Sequence, residues 1–572
     1  MYRSLIRNVT LAACLLPATL LAADRVGDFA LLDQEGYFHQ MSWYDDHAAI
    51  ALLVHAMDSD ATRAALDEFV ALRHRYDDQG IEFFMLNPMG RHNRDAIAAD
   101  LAEQGIAIPV LMDDTQYIAE SLGIDTTGEI LVYDPKTFMV AFRGPAGVEL
   151  EQALDAMLAG NEIPVARVET TGDPITFAAK AEHAGNVPSY EQDIAPIIAE
   201  NCASCHREGG IAPFALNSHA MVQGWSPMIR EVLMTKRMPP GQIDGHIGDF
   251  INDMLVAESD QQKLLHWIDA GAPQDGQTDP LAELTWPESK WAFGEPDYII
   301  KLPPQTIPAT GVLDYINVVV PIETDRDYWV RGSQYVAGDR TVLHHTLNSL
   351  IPPDANNRRR GFLGSSDPDA ANITAYIPGA EPEWMPDNTG GLLKKGSRLA
   401  LQLHYTTNGR ETTDESEIGL WFYPEGEVPE KRLSGACACI FTPTWTNIPP
   451  YDPEFVQEAS VTLRKDAYLR SFTPHMHFRG KYMRFFAEYP DGNREELINI
   501  ANYNYNWQLA YTYEEPRLMP AGTRLVAVGA FDNSEQNPYN PDPARSVPWG
   551  QQSWDEMFFG AMRWIYADEG GE

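Results

Sequence analysis

The spacing of apolar positions changes character twice along the chain. From residue 24 to about 165, short apolar runs alternate with segments of helical period. Residues 50–57 (IALLVHAM), 81–87 (IEFFMLN) and 128–135 (GEILVYDP) read as strands, and 60–80 and 94–105 as helices that each stop at a glycine. Strand–helix–strand alternation predicts an α/β domain over 24–165 built on a largely parallel sheet. A second block, 185–278, shows helical spacing in 190–200 and 261–273 and predicts a small all-α domain. Beyond residue 279 helical period is scarce. Runs such as YINVVVPI, RLALQLHYT, EIGLWFY, YMRFFAEY and RLVAVGAF are separated by turn residues, which predicts antiparallel, jelly-roll-like β-sandwiches in tandem over 279–435 and 436–572.

The first 23 residues belong to none of these blocks. Arg3 and Arg7 precede an apolar run over 9–21, and Ala22-Ala23 follow it, the layout of a secretory signal peptide. Leu11-Ala12-Ala13-Cys14 also fits a bacterial lipobox, so lipidation at Cys14 is the alternative to a soluble periplasmic or secreted protein. The apolar run continues past Cys14 to Leu21, which favours the soluble form. No later stretch offers the ~20 uninterrupted apolar residues of a membrane span.

Charge narrows the partners. With 42 basic against 82 acidic side chains the net charge is −40, which argues against nucleic acid or an anionic membrane surface as partner. The 44% apolar content supports packed cores. Five cysteines are too few for a disulfide scaffold.

Two constellations carry chemistry. Cys202, Cys205 and His206 (CASCH) form C-x-x-C-H, the attachment signature of a covalent c-type haem, with His206 as axial ligand. Zinc lacks a second cysteine pair nearby, and a plain disulfide is the simplest competitor. Met238, followed by two prolines and so biased out of helix, is the expected second axial ligand. Met221, Met228, Met234 and Met254 compete with it, whereas His246 and His266 read as structural. The second constellation is histidine. Of fifteen in the chain, the five beyond residue 279 are His344-His345, His404 and His475-Met476-His477. His475 and His477 share a face if extended, whereas neighbours such as His344 and His345 diverge on a regular strand and need a bend to converge. Imidazole alone does not choose among copper, zinc, nickel and iron.

Three resemblances sharpen this reading. VGDFALLDQEG (26–36) and the segment from 106 to 135 resemble the thioredoxin-like family, in particular its peroxiredoxin branch. The family's nucleophilic cysteine is replaced by Asp58-Ser59-Asp60 and its proline by Gly128, which implies a docking or structural module without thiol chemistry. Residues 190–273 resemble cytochrome c domains. LHHTLNS, LKKGSRLALQLHYTTNG, FTPHMHFRG and the WDEM segment resemble the type II copper, ascorbate-dependent monooxygenases, the family of dopamine β-monooxygenase and peptidylglycine α-hydroxylating monooxygenase. That resemblance implies two copper ions. His344, His345 and His404 would hold the electron-transfer copper, and His475, His477 and Met557 the oxygen-binding one, each copper in its own sandwich. Thr473, Phe559 and Ala561 stand where the peptidylglycine enzymes place residues for a peptide carboxylate, and Arg479 lies on the other side of the motif, so peptide amidation is not implied. Cys437 and Cys439 are expected to be reduced thiols or a labile pair.

The expected function is an exported copper monooxygenase that hydroxylates a C–H bond of an unknown small molecule with O2. Electrons would pass from a periplasmic donor, small or basic, through the haem to the His344/His345/His404 copper and on to the oxygen-binding copper. The alternatives are a non-oxygenating electron-transfer or copper-handling protein, and a scaffold whose thioredoxin-like domain recruits a partner.

Overall fold

The computed structural model describes residues 25–90, 94–287, 289–353, 370–379 and 382–568. The signal segment 1–23 and Cys14 lie outside the described residues.

The first unit is α/β. A hairpin of β1 (Ala30–Leu32) and β2 (Phe38–Gln40) leads into β3 (Ala49–Val54), α1 (Asp60–Tyr76), β4 (Ile81–Asn87), α2 (Arg94–Gln104), β5 (Val110–Met112), α3 (Tyr117–Ser121), β6 (Ile130–Asp134), β7 (Met139–Gly144) and α4 (Val148–Ala159). The sheet order is β5-β4-β3-β6-β7. All six residues of β3 are buried because both faces of the central strand are covered, which is why its sequence is a continuous apolar run. The expectation of a largely parallel sheet needs correction. β3/β4 and β4/β5 are parallel, but β3/β6 and β6/β7 are antiparallel. For β6/β7 the cause is local: Asp134 Oδ1 accepts from the amides of Lys136 and Thr137, closing a tight hairpin that only antiparallel strands can share.

Where a thiol is absent, packing takes its place. The Ser59 hydroxyl caps α1 by accepting from Thr62 N, and it donates to Asp173 Oδ2 at 2.6 Å. The following segment crosses this point, with Thr127 N donating to Asp173 O and Ile175 N to Asp125 O. At Gly128 (φ +73°) a Cβ would lie 2.9 Å from the backbone of Ala61, so only glycine lets the chain pass the start of α1.

The second unit is helical: α5 (Ala178–Gly185), a π-helical turn Tyr190–Ile194, α6 (Ala195–Asn201), α7 (His219–Met234) and α8 (Glu258–Asp269), around Tyr190, Ile194, Ile198, Leu264 and Trp267.

The remainder is β. The strands β8 (Tyr298–Lys301), β9 (Gln305–Ile307), β10 (Ile316–Pro321), β11 (Tyr328–Val336), β12 (Leu343–Ile351), β13 (Glu383–Trp384), β14 (Gly391–Leu393), β15 (Arg398–Tyr405), β16 (Thr412–Asp414) and β17 (Glu417–Phe422) form one sandwich. Its main sheets are β10-β15-β12 and β13-β11-β17-β8. The strands β18 (Ser434–Ile440), β19 (Phe455–Thr462), β20 (Ala467–His475), β21 (Gly480–Glu488), β22 (Arg494–Ile500), β23 (Tyr511–Met519), β24 (Arg524–Phe531) and β25 (Phe558–Tyr566) form the other, as β18-β25-β20-β23 against β19-β24-β21-β22. Their pairings are antiparallel, and each sandwich encloses its own apolar core.

A buried polar hub ties the units together. Arg94 of α2 donates to both oxygens of Asp244, at 2.8 and 2.7 Å, and through Nε to Gln34 O. Asp244 N in turn donates to Asn499 O at the end of β22, and Asn499 Nδ2 to Gly36 O.

Candidate functional site

The five late histidines gather where the two sandwiches meet. β12 pairs with β15 through Leu343↔Tyr405 and then His345↔His404, so His344 is an extra residue, a β-bulge. The bulge supplies the bend that adjacent histidines need, because an unpaired residue re-aims its neighbours. It leaves His344 Nδ1 2.9 Å from His345 Nδ1, and one potential ligand atom from each of His344, His345 and His404 falls within 4.8 Å of the others.

In the other sandwich β20 ends at His475. Met476 turns into the core while the His475 and His477 rings meet edge to face at 5.2 Å. Each donates through Nδ1–H, His477 to Asp555 O at 3.2 Å and His475 to Gln508 Oε1. The Gln508 amide is oriented by its own Nε2, which donates to Tyr505 O at 2.8 Å. Both Nε2 atoms are left buried with no hydrogen-bond partner among the described residues. Buried polar atoms without partners are costly, and two neighbouring imidazoles with unpartnered nitrogens are donors that could hold a metal ion. Met557 is buried just ahead of β25, where the pairing His475↔Phe559 brings the strand alongside His475. The Glu556 carboxylate accepts from His477 N at 2.8 Å and Arg479 N at 2.7 Å, clamping the His-x-His turn to the Glu-Met turn.

The two sets are neighbours. The rings of His345 and His475 lie 6.2 Å apart, edge to face. One segment between the sandwiches serves both. Tyr505 Oη is 3.2 Å from His404 Nδ1 and 2.6 Å from Ser553 Oγ, and His344 Nε2–H donates to Asn506 Oδ1 at 3.0 Å. Burial keeps all five imidazoles neutral. It lowers His344, brings His404 down to about 3 and His475 to about 4, and, with the neighbouring histidines, holds His345 and His477 well below their ordinary value. Neutral imidazole is the form that binds a metal.

The flanking residues are also placed. Phe559 stacks on His475 at 5.4 Å and meets Phe441 at 5.1 Å, making that wall apolar. Thr473 pairs with Ala561. Arg479 is fully buried and its Nε and Nη1 are taken by Asn533 Oδ1 and Trp554 O, so it braces loops instead of facing a substrate. Cys437 and Cys439, expected as reduced thiols or a labile pair, form a disulfide. Two residues apart on β18 they share a face with Cα atoms 5.1 Å apart, within bridging range.

Cys202, Cys205 and His206 follow α6. Both thiols are free and half-buried, and burial pushes Cys202 up to about 12. His206 Nδ1–H donates to Phe214 O at 3.2 Å, which fixes the ring and leaves Nε2 as the nitrogen that could ligate a metal. Met238 sits half-buried in the loop after α7, outside helix. Of its competitors, Met234 is buried in the core shared with the α/β unit, and Met221 and Met228 are exposed on α7. His246 Nε2 lies 3.1 Å from Asp114, and His266 bridges Glu120 and His183, both at contacts between the first two units. Sequence reasoning missed Gln508, Tyr505, Asn506 and Glu556. Only Glu556, beside Met557, carried any signal.

No family profile matches the chain, and no curated protein matches it. Among solved structures it is similar to a hypothetical protein from Sinorhizobium meliloti 1021 (20% identity, 28% of this chain and 97% of that one, TM-score 0.25). It is also similar to a putative thiol:disulfide interchange protein DsbE from Chlorobium tepidum (18%, 24% and 96%, TM-score 0.22). A third is the peroxidoxin BcpB from Mycobacterium tuberculosis (19%, 24% and 93%, TM-score 0.20). The latter two, thioredoxin-like neighbours, cover only about a quarter of this chain. Among the described residues no helix is long and apolar enough to cross a membrane.

Proposed function

We propose that this chain is an exported, copper-dependent monooxygenase with a fused one-electron store. One copper belongs to His344, His345 and His404, the other to His475, His477 and Met557. A covalent haem belongs on Cys202 and Cys205, with His206 and Met238 as axial ligands. The observation that carries the reading is the pair of buried, partnerless Nε2 atoms of His475 and His477 beside a second group of three neutral imidazoles. Thioether sulfur at Met557 suits Cu(I) over a harder ion.

Bound copper and haem would supply one-electron steps and O2 activation, in the overall balance RH + O2 + 2e⁻ + 2H⁺ → ROH + H2O. The chain's own residues do the rest. Gln508 and the Asp555 carbonyl hold the protons of His475 and His477 on Nδ1, so that Nε2 faces the ion. Phe559 and Phe441 present an apolar wall suited to an unionised C–H substrate. Fusion raises the donor's effective concentration without a high-affinity interface. The −40 charge selects a small or basic periplasmic reductant.

Metal and haem analysis of the full chain should find two coppers per haem, and one in Met557→Ala. Substrate-dependent O2 consumption should then appear across a panel of apolar small molecules. Full metal loading with no O2 consumption across the panel would leave a copper-handling or electron-transfer protein instead.

A further inference from the structure

Three histidine motifs from two sandwiches are held by one short segment. Residues 503–508 lie between β22 and β23 of the second sandwich. Tyr503 Oη accepts from Met476 N at 2.9 Å and donates to Met476 O at 2.8 Å, gripping the residue between His475 and His477. Tyr505 Oη lies 3.2 Å from His404 Nδ1, and its ring stacks on His344 at 4.8 Å. Asn506 Oδ1 accepts from His344 Nε2–H at 3.0 Å, and Gln508 Oε1 from His475 Nδ1–H. The segment also bonds to itself: Asn506 N donates to Asn504 Oδ1, Trp507 N to Asn504 O and Gln508 Nε2 to Tyr505 O. The first sandwich packs on it from outside. At Gly379 (φ +77°) a Cβ would lie 3.1 Å from the Trp507 ring.

The buried Gln508 amide has two discrete arrangements. As folded, its oxygen meets an N–H and its NH2 meets a carbonyl. Turned over, the NH2 would face His475 Nδ1 and drive that proton to Nε2, where it blocks a metal. The amide oxygen would then oppose Tyr505 O, two buried acceptors in contact. One orientation therefore fixes the His475 tautomer and the Tyr505 carbonyl together. With Tyr505 fixed, its hydroxyl stands at His404 and the next residue's amide at His344. The segment is ordered once for both sets, so the set filled second has less left to order.

We propose that residues 503–508 couple the two metal sets, so that filling His475 and His477 tightens binding at His344, His345 and His404, and the reverse. Gln508, Tyr505 and Asn506 are then positioning residues shared between the sites. The inference rests on the two-copper reading above and leaves its order of electron flow as stated. Coulomb repulsion between two bound cations acts in the opposite direction, so the sign of the coupling is diagnostic.

The test is copper titration of the full chain against a competing chelator, with the three-histidine copper followed by EPR. Met557→Ala, which empties the second set, should weaken binding at the three-histidine set by about 5–150-fold, the usual range of site–site coupling. Gln508→Glu keeps an oxygen for His475 Nδ1–H and removes the NH2 that bonds Tyr505 O. It should still bind two coppers, and adding Met557→Ala in that background should leave the three-histidine affinity where it was. His404→Ala should weaken the second set in turn. An affinity at the three-histidine set that is unchanged or raised in Met557→Ala overturns the coupling, as does an equal loss with and without Gln508→Glu, or a second set indifferent to His404→Ala. A chain that binds no copper, or that keeps two in Met557→Ala, overturns the functional reading, and the coupling with it.

Discussion

Glu556 is the residue on which the second histidine set depends most. Its two oxygens each accept one backbone amide, from His477 and Arg479, and burial pushes its carboxyl up to about 8 against them. Glu556→Gln keeps the shape but turns an NH2 group toward an amide donor. Copper affinity at His475/His477 should fall by about 10–100-fold while the three-histidine site keeps its ion. Copper titration against a competing chelator, read by EPR, separates the two. The five histidines themselves were legible because imidazoles are scarce after residue 279 and come in tight groups. Gln508 and Tyr505 were not, since they sit in a stretch of Asn, Tyr and Trp with no periodic signal, and only folding brings them beneath the rings.

Among the elements, β3 and β12 show opposite degrees of legibility. The unbroken apolar run of β3 announced a doubly covered strand, whereas the bulge in β12 was visible only as a geometric requirement of His344-His345. His55, one residue past β3, is 3% exposed, and burial lowers it to about 4 from an ordinary 6.5. It is neutral in the fold and protonatable once exposed, so the unfolded state binds more protons between pH 4 and 6.5. Local stability therefore rises with pH across that window and is complete above it, by on the order of 3 kcal/mol. Hydrogen exchange of β3 amides, corrected for the intrinsic pH effect, should show protection falling from pH 6.5 toward 4. In His55→Asn that slope should flatten. The antiparallel half of the sheet is hard to read in the sequence, because a four-residue Asp-Pro turn carries less pattern weight than three apolar runs.

On the scale of the whole molecule, three units share one buried ion pair. Arg94 is 8% exposed and Asp244 is fully buried. Arg94→Met would strand a buried carboxylate, a loss of about 3–5 kcal/mol. The expected result is a lower thermal midpoint and faster proteolysis within 239–256, with the five histidines still able to bind metal. An unchanged midpoint and cleavage pattern would mean that the hub contributes nothing to docking.

By itself the sequence determined which segments are α/β, helical or sandwich, which cysteines and histidines are grouped, and that Asp58-Ser59-Asp60 holds no thiol. All of these are local, because periodicity and spacing are written along the chain. Tertiary structure alone decided that both histidine sets lie side by side, that residues 172–175 cross the thiol-free site, that Cys437 and Cys439 are bonded, and that residues 503–508 reach all three histidine motifs. Each depends on contacts between residues far apart in the chain, which close packing selects and no local pattern encodes.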